Sequence, residues 1–206
     1  VGINSKEIEA QAVDVKKKRE ELGLSTEAIV ILSVGEMTKN KNQELIIRTV
    51  SEYKKKGEKI CYALCGKGTE EEHLRGLVAE LGVESEVKFL GYHKDIYEVY
   101  KMADIFVFPS LREGMPVALM EAMASGLPVI CSDIRGNRDL LENEKGGVLV
   151  EGHKVEDYVK ALEWMVENKI SWEKMGDFNR RKAELFDRKN VVGIMKKLYE
   201  SIKNNK

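Results

Sequence analysis

The sequence predicts an α/β fold, a doubly wound, Rossmann-like parallel sheet that is followed by a helical C-terminal tail. Short apolar segments of strand length alternate with segments whose apolar residues recur at helical spacing. These strand segments are apolar throughout, as expected for strands that are covered on both faces. Beyond Val155 only helical patterns follow. Together these features favour one domain with helices on both faces of the sheet.

The elements follow one another in a regular order along the chain. We predict six strands, at Ile29–Val34, 60–64, 87–90, Ile105–Phe108, 128–131 and Gly147–Val150, the last at an edge. Gly35 stops the first strand, and Gly66-Lys67-Gly68 follows the second. Between the strands we predict a helix over 41–56, a helix capped by Thr69 with Glu72 in a capping box, and a helix through Ile96 and Tyr100. The tail is predicted to contain helices at 155–168, 172–186 and 189–203.

Composition excludes several classes of protein. The 34 Lys and Arg residues balance 35 Asp and Glu residues, so a nucleic-acid partner is not expected. No apolar segment is long enough for a membrane span, and no secretory signal pattern is present. The three cysteines lack metal-ligand spacing, and no metal site is expected. We therefore expect a cytoplasmic protein, and the first residue, Val1, indicates a fragment of a longer chain.

The segment after the fourth strand is the most informative part of the sequence. Ligands of such sheets bind outside the carboxyl ends of the strands. Pro116 suits the first turn of a helix, and Gly126 followed by Pro128 would end it. The free N–H groups of Gly114, Met115 and Val117 would then point into the mouth of the sheet, an arrangement that suits a phosphate or diphosphate.

Two carboxylates flank this anion site. Glu113 precedes the helix and Glu121 lies inside it among apolar residues. Since a carboxylate accepts hydrogen bonds from vicinal hydroxyl groups, a ribose and a hexose joined by a diphosphate would match both. The alternatives are that Glu113 is a solvated loop charge and that Glu121 points outward from the helix.

These motifs resemble a known family. Glu113 and Glu121, separated by seven residues and followed by Gly126-Leu-Pro-Val, resemble the signature of retaining GT-B glycosyltransferases of family 4, closest to capsular or exopolysaccharide transferases. Val1-Gly2-Ile3-Asn4 resembles the segment that follows the interdomain linker. Further likenesses are Ser33-Val34-Gly35 with Lys41-Asn42 for the phosphate loop, and Phe89-Leu90-Gly91-Tyr92 for the base-binding loop.

The resemblance implies that residues 1–206 form the single donor-binding domain of such an enzyme. This C-terminal half of a GT-B fold would comprise a post-linker segment and first helix (1–27), a Rossmann-like core (28–152) and C-terminal helices (153–206). The acceptor-binding N-terminal domain would be absent, so the isolated domain is expected to be inactive. The expected donor is a UDP- or GDP-sugar, without a cofactor. The expected acceptor is a saccharide or a lipid-linked saccharide in surface polysaccharide biosynthesis.

The resemblance also assigns roles to individual residues. Glu113 would contact the donor sugar and Glu121 the ribose diol, and Glu113 with Lys41 would be the catalytic pair. The backbone of Gly114, Met115, Pro116 and Val117 would hold the diphosphate. Lys41, beside Gly35, would neutralise it with help from Lys39 or Lys67. Backbone groups of Leu90, Gly91 and Tyr92 would recognise the base. Glu36 stands where many members have Arg, which leaves the diphosphate role of this loop to Lys41.

Two alternatives to the transferase remain open. The first is a nucleotide-binding module without transferase activity, which the Glu36 departure favours. The second is a nucleotide-sugar epimerase of the same fold, which the spacing of Glu113 and Glu121 disfavours. The lysine runs 16–19 and 54–56 are interpreted as solvated helix faces, and they leave open a peripheral association of the whole protein with the inner face of a membrane.

Overall fold

The computed structural model describes residues 2–204 and confirms the predicted fold class. Six parallel strands form one sheet in the order β3-β2-β1-β4-β5-β6. Their bounds agree with the predicted ones to within a residue: β1 Ile29–Val34, β2 Ile60–Cys65, β3 Val87–Gly91, β4 Ile105–Phe108, β5 Val129–Ser132 and β6 Gly147–Val150. Val1, the first residue of the resemblance, lies outside the described residues.

Within residues 2–204, ten α-helices precede, connect and follow these strands. They are α1 Ser5–Ala10, α2 Val15–Glu21, α3 Gln43–Lys54, α4 Glu71–Leu81, α5 Ile96–Lys101, α6 Val117–Ala124, α7 Arg135–Arg138, α8 Val155–Glu167, α9 Trp172–Ala183 and α10 Arg188–Asn204. Short 3₁₀ turns cover Lys169–Ser171 and Glu184–Phe186. Helix α7 was not predicted from the sequence. The segment before the core contains two short helices, α1 and α2, where one helix was predicted.

One predicted cap is wrong. Helix α4 begins at Glu71, and Thr69 does not cap it, since no side chain caps its N-terminus. The preceding turn is instead held by backbone contact with the neighbouring loop, because the N–H of Glu70 donates to the carbonyl of Met37. Gly68 lies so close to the same carbonyl that a Cβ there would sit 2.2 Å from its oxygen. A backbone contact of this kind leaves no signal in local sequence.

The sheet separates two hydrophobic cores because side chains of successive strand residues point to opposite faces. Val30 and Leu32 of β1 belong to one core, which also contains Cys61 and Cys65 of β2. Ile31 of β1 belongs to the other core. Both cysteines are thus buried apolar residues on one side of their strand.

Strand order determines where a ligand can bind. β1 lies between β2 and β4, so the connections leave β1 and β4 in opposite directions across the sheet. In open α/β sheets the crevice for ligands forms at this reversal, outside the carboxyl ends of the strands. The loops after β1 and β4 therefore face each other there.

The helical tail packs back onto the core. Helix α8 packs against α3, and α9 packs against α6. Near the start of α10, Asp187 accepts a hydrogen bond from the hydroxyl of Ser5 at 2.7 Å, which joins the beginning of the chain to the tail. Over residues 2–204, none of the helices combines the length and the hydropathy that a bilayer crossing requires.

Candidate functional site

Lys41 and Glu113 meet at the reversal of the sheet. The Lys41 Nζ atom lies 2.6 Å from Glu113 Oε1, although the two residues are 72 positions apart. Their side chains are 23% and 12% exposed. The ammonium group also lies 4.7 Å from the ring centroid of Phe108, at the end of β4. Glu113 is therefore a partly buried, paired carboxylate, and the alternative of a solvated loop charge is wrong.

The two loops that present this pair are fastened to each other. The N–H of Leu111 donates to the carbonyl of Asn40 at 2.8 Å, and the Asn40 side chain donates to the carbonyl of Arg112 at 2.9 Å. Asn42 adopts a left-handed conformation with φ of 54°, which asparagine tolerates better than most residues. Its side chain donates to the carbonyl of Pro109 at 3.4 Å. Sequence reasoning missed both asparagines as loop-fixing residues.

The start of α6 offers hydrogen-bond donors to the solvent side of this site. Pro116 is buried and precedes the helix, whereas Gly114, Met115 and Val117 are exposed. Within residues 2–204, the backbone N–H groups of these three residues donate to no protein acceptor. The end of the helix is also as predicted, because Gly126 has a φ of +82° and so stops it. The exposed, unpaired N–H groups that the sequence predicted at this helix start are thus present, and their role in anion binding stays a prediction.

Glu121 lies two turns inside α6 and is partly buried. Its carboxylate accepts a hydrogen bond from the hydroxyl of the fully buried Tyr100, at 3.1 Å. Burial raises the pKa of Glu121 above its ordinary value, and the Tyr100 hydrogen bond opposes this shift in part. The alternative in which Glu121 points outward from the helix into solvent is therefore wrong. Nothing in the sequence indicated Tyr100 as its partner.

An open cleft of about 640 Å³ lies beside the pair, at the carboxyl ends of β1 and β2. Three predicted residues line it, namely Gly35, Lys67 and Tyr92, and the last of these is 76% exposed. Gly35 also borders Lys41, since a Cβ on Gly35 would lie 3.6 Å from Lys41 Cε. The cleft therefore extends from the loop after β3 toward the ion pair.

The loop that follows β3, for which base binding was predicted, leads into this cleft. Gly91 ends β3 with a φ of +69°, and its carbonyl accepts from the N–H of Gly66 at 2.8 Å. The His93 ring lies 3.1 Å from the Leu90 carbonyl oxygen through Nε2, so Nε2 carries the proton that it donates. His93 lines the cleft, and so does Glu36, which stands where Arg was expected.

Comparison with known proteins agrees with this architecture. The profile of the family described as "Glycosyl transferases group 1" matches residues 14–182. A putative glycosyltransferase of Bacillus subtilis, EpsD, is 26% identical over 202 residues, which are 98% of this chain and 53% of that protein. An Escherichia coli protein named UDP-Gal:alpha-D-GlcNAc-diphosphoundecaprenol alpha-1,3-galactosyltransferase is 32% identical over 161 residues, 76% of this chain and 41% of that protein. The chain therefore spans about half the length of these relatives.

Solved structures show the same fold. The crystal structure of HepE from Anabaena in complex with UDP superimposes with a TM-score of 0.86 at 22% identity, over 98% of this chain and 56% of that chain. At this identity the likeness establishes the fold alone. Since the family profile covers most of the chain, the protein belongs to the group 1 glycosyl transferases and has the Rossmann-like fold of their GT-B domains.

Proposed function

We propose that this chain binds the nucleotide-diphosphate sugar donor of a retaining glycosyltransferase. The proposal rests on one observation. The carboxyl ends of β1 and β4 bring together Lys41, Glu113 and the free N–H groups before α6. A cation and a row of backbone donors are complementary to a diphosphate, and a carboxylate is complementary to sugar hydroxyl groups. The adjoining cleft has space for the base and the ribose.

The ion pair gives the donor site a definite order of events. Lys41 is bonded to Glu113, so an arriving diphosphate competes with this carboxylate for the ammonium group. When Lys41 turns toward the diphosphate, Glu113 is released to accept hydrogen bonds from the sugar. During transfer the N–H groups and Lys41 would stabilise the charge that develops on the leaving diphosphate. Their contribution to catalysis is thus positioning and electrostatic stabilisation.

For the ribose, we propose Glu121 as the hydrogen-bond acceptor. Its carboxylate has one described hydrogen-bond donor, Tyr100, and retains further acceptor capacity for a diol. The Tyr100 hydroxyl fixes the orientation of the carboxylate from the buried side. The base would contact backbone groups around Leu90 and Gly91, with Tyr92 beside it.

The remaining part of the proposal concerns the whole protein. The name of the Escherichia coli relative describes a UDP-sugar donor and a lipid-linked acceptor. This supports a UDP-sugar as the donor, and a saccharide or lipid-linked saccharide of a surface polysaccharide as the acceptor. We place acceptor binding in the half of the relatives that this chain does not span, so the chain alone would bind the donor without transferring it.

A second candidate is a nucleotide-binding module without transferase activity. Glu36 favours it, because an acidic side chain lines the cleft in the place of an expected Arg. Lys67 and Lys94 line the same cleft and supply positive charge that offsets Glu36. Assay of the whole protein with a panel of nucleotide sugars separates the two candidates, since only a transferase forms product.

Donor binding is tested on the chain itself. We expect UDP or GDP to bind in titration calorimetry, and the amide resonances of Gly114, Met115 and Val117 to shift during an NMR titration. Uridine should perturb residues of the cleft, such as Tyr92, with little effect before α6. If millimolar UDP and GDP leave all of these resonances unchanged, the proposed function is wrong.

A further inference from the structure

Helix α7, which follows β5, lies directly against the donor loop of residues 109–116. Gly136 of this helix is buried, and a Cβ built on it would lie 2.6 Å from the carbonyl oxygens of both Glu113 and Gly114. Real Cβ atoms essentially never approach backbone oxygen this closely. The absence of a side chain at Gly136 is therefore what allows α7 and the loop to pack together.

A buried hydrogen-bond chain fastens the same helix to the start of the loop. The Asn137 side chain donates to the carbonyl of Ser132 at 2.9 Å, and the Ser132 hydroxyl donates to the carbonyl of Ser110 at 2.5 Å. All three residues are 0% exposed. Ser132 ends β5 and Ser110 follows β4, so these hydrogen bonds link two neighbouring strands to α7 at the point where the loop begins.

We propose that Gly136 and Asn137 are positioning residues for the diphosphate-binding N–H groups. On one side the loop is held by Asn40 and Asn42, and on the other side by α7. This inference deepens the proposed function and rests on it. Neither Gly136 nor Asn137 is a catalytic residue, because both act through the loop backbone.

The geometry of the peptide bond explains how a buried contact controls the binding groups. The Glu113 carbonyl shares a rigid plane with the N–H of Gly114, and the Gly114 carbonyl shares one with the N–H of Met115. Any displacement of these two carbonyl oxygens therefore rotates the two N–H groups on the opposite edges of the planes. Donors stabilise an anion best when they are held in place before it arrives.

The test is Gly136→Ala in the 206-residue chain. The added methyl group must move the Glu113 and Gly114 carbonyls, so we expect UDP to bind about tenfold more weakly, the loss of roughly one hydrogen bond. Uridine affinity should change less than about twofold, because its contacts lie in the cleft. The matched control is Gly76→Ala in α4, where a Cβ meets nothing within 4 Å and both affinities should stay unchanged.

A second variant keeps the proposal testable if Gly136→Ala does not fold. Ser132→Ala adds no volume and removes the hydroxyl that donates to the Ser110 carbonyl. Like Gly136→Ala, it should lower the ratio of UDP affinity to uridine affinity. If either variant is folded in thermal melts and keeps the wild-type ratio, α7 does not position the loop. If wild-type chain binds neither UDP nor GDP, the proposed function fails instead, so the two failures are distinguishable.

Discussion

The ion pair between Lys41 and Glu113 leads to a counterintuitive prediction: Glu113→Gln should tighten the binding of UDP. The carboxylate lies 2.6 Å from the ammonium group. In the proposed donor site it would compete with a diphosphate for that group. Glutamine has nearly the same shape and still accepts a hydrogen bond, but it carries no charge. The substitution therefore weakens the competitor and leaves the loop in place.

The size of this effect follows from the contact. Glutamine keeps a hydrogen bond to the charged ammonium group and removes only the attraction between the two opposite charges. This difference is about 0.2–1 kcal/mol for a solvent-exposed pair and larger for a partly buried one. The Lys41 side chain is 23% exposed, so solvent screening reduces the difference, and we take about 1 kcal/mol. Since about 1.4 kcal/mol corresponds to a tenfold change, UDP should bind roughly fivefold more tightly.

Titration calorimetry with UDP and uridine measures the effect, and thermal melts establish that the variant is folded. Glu20→Gln, at an exposed position on α2, makes the same change in net charge and should alter neither affinity. In a Lys41→Ala background the gain from Glu113→Gln should shrink, which a double-mutant cycle detects. Unchanged or weaker UDP binding by a folded Glu113→Gln chain would refute the competition between carboxylate and diphosphate.

Three further predictions concern neighbouring residues. Lys41→Ala should weaken UDP binding about tenfold and leave uridine binding unchanged, because an ammonium acts on the phosphates as a point charge. Lys16→Ala, at an exposed position, is the control. An equal loss of uridine affinity would show that Lys41 does not act on the phosphates. Glu36→Arg should tighten UDP, since it replaces an acidic residue of the cleft by a basic one; weaker binding would show that this loop has another shape. UDP affinity should fall as pH is lowered toward the pKa of Glu121, which burial raises above its ordinary value, because the ribose needs the ionised carboxylate. Glu121→Gln should lower the affinity at neutral pH and flatten this dependence, and an unchanged pH profile would contradict the ribose assignment.

Most of the regular structure was predictable because the strands are covered on both faces. Each of them is a short, continuously apolar segment between polar turns, a pattern that is distinct from the longer amphipathic helices. The bounds of β1 and β4 were predicted to the residue. The stop of α6 at Gly126 was also predicted, since this residue adopts a positive φ that few other residues tolerate.

Helix α7 was not predictable from local pattern. It is four residues long, with buried Gly136 and Asn137 between exposed Arg135 and Arg138. Such a segment is too short to show helical periodicity, and its glycine and asparagine are typical of loops. Its position depends on close contact with the donor loop, which only the folded chain creates.

The sequence by itself determined the order of strands and helices along the chain, the exposed N–H groups before α6 and the residue types of the proposed sugar-donor site. The tertiary structure decided that Lys41 is paired with Glu113, that Asn40 fastens two loops and that Gly136 supports one of them. The reason is topological. These contacts exist because β1 lies beside β4 and β4 beside β5, and the neighbours of a strand in a sheet are set by packing of the whole chain rather than by any local spacing of residues.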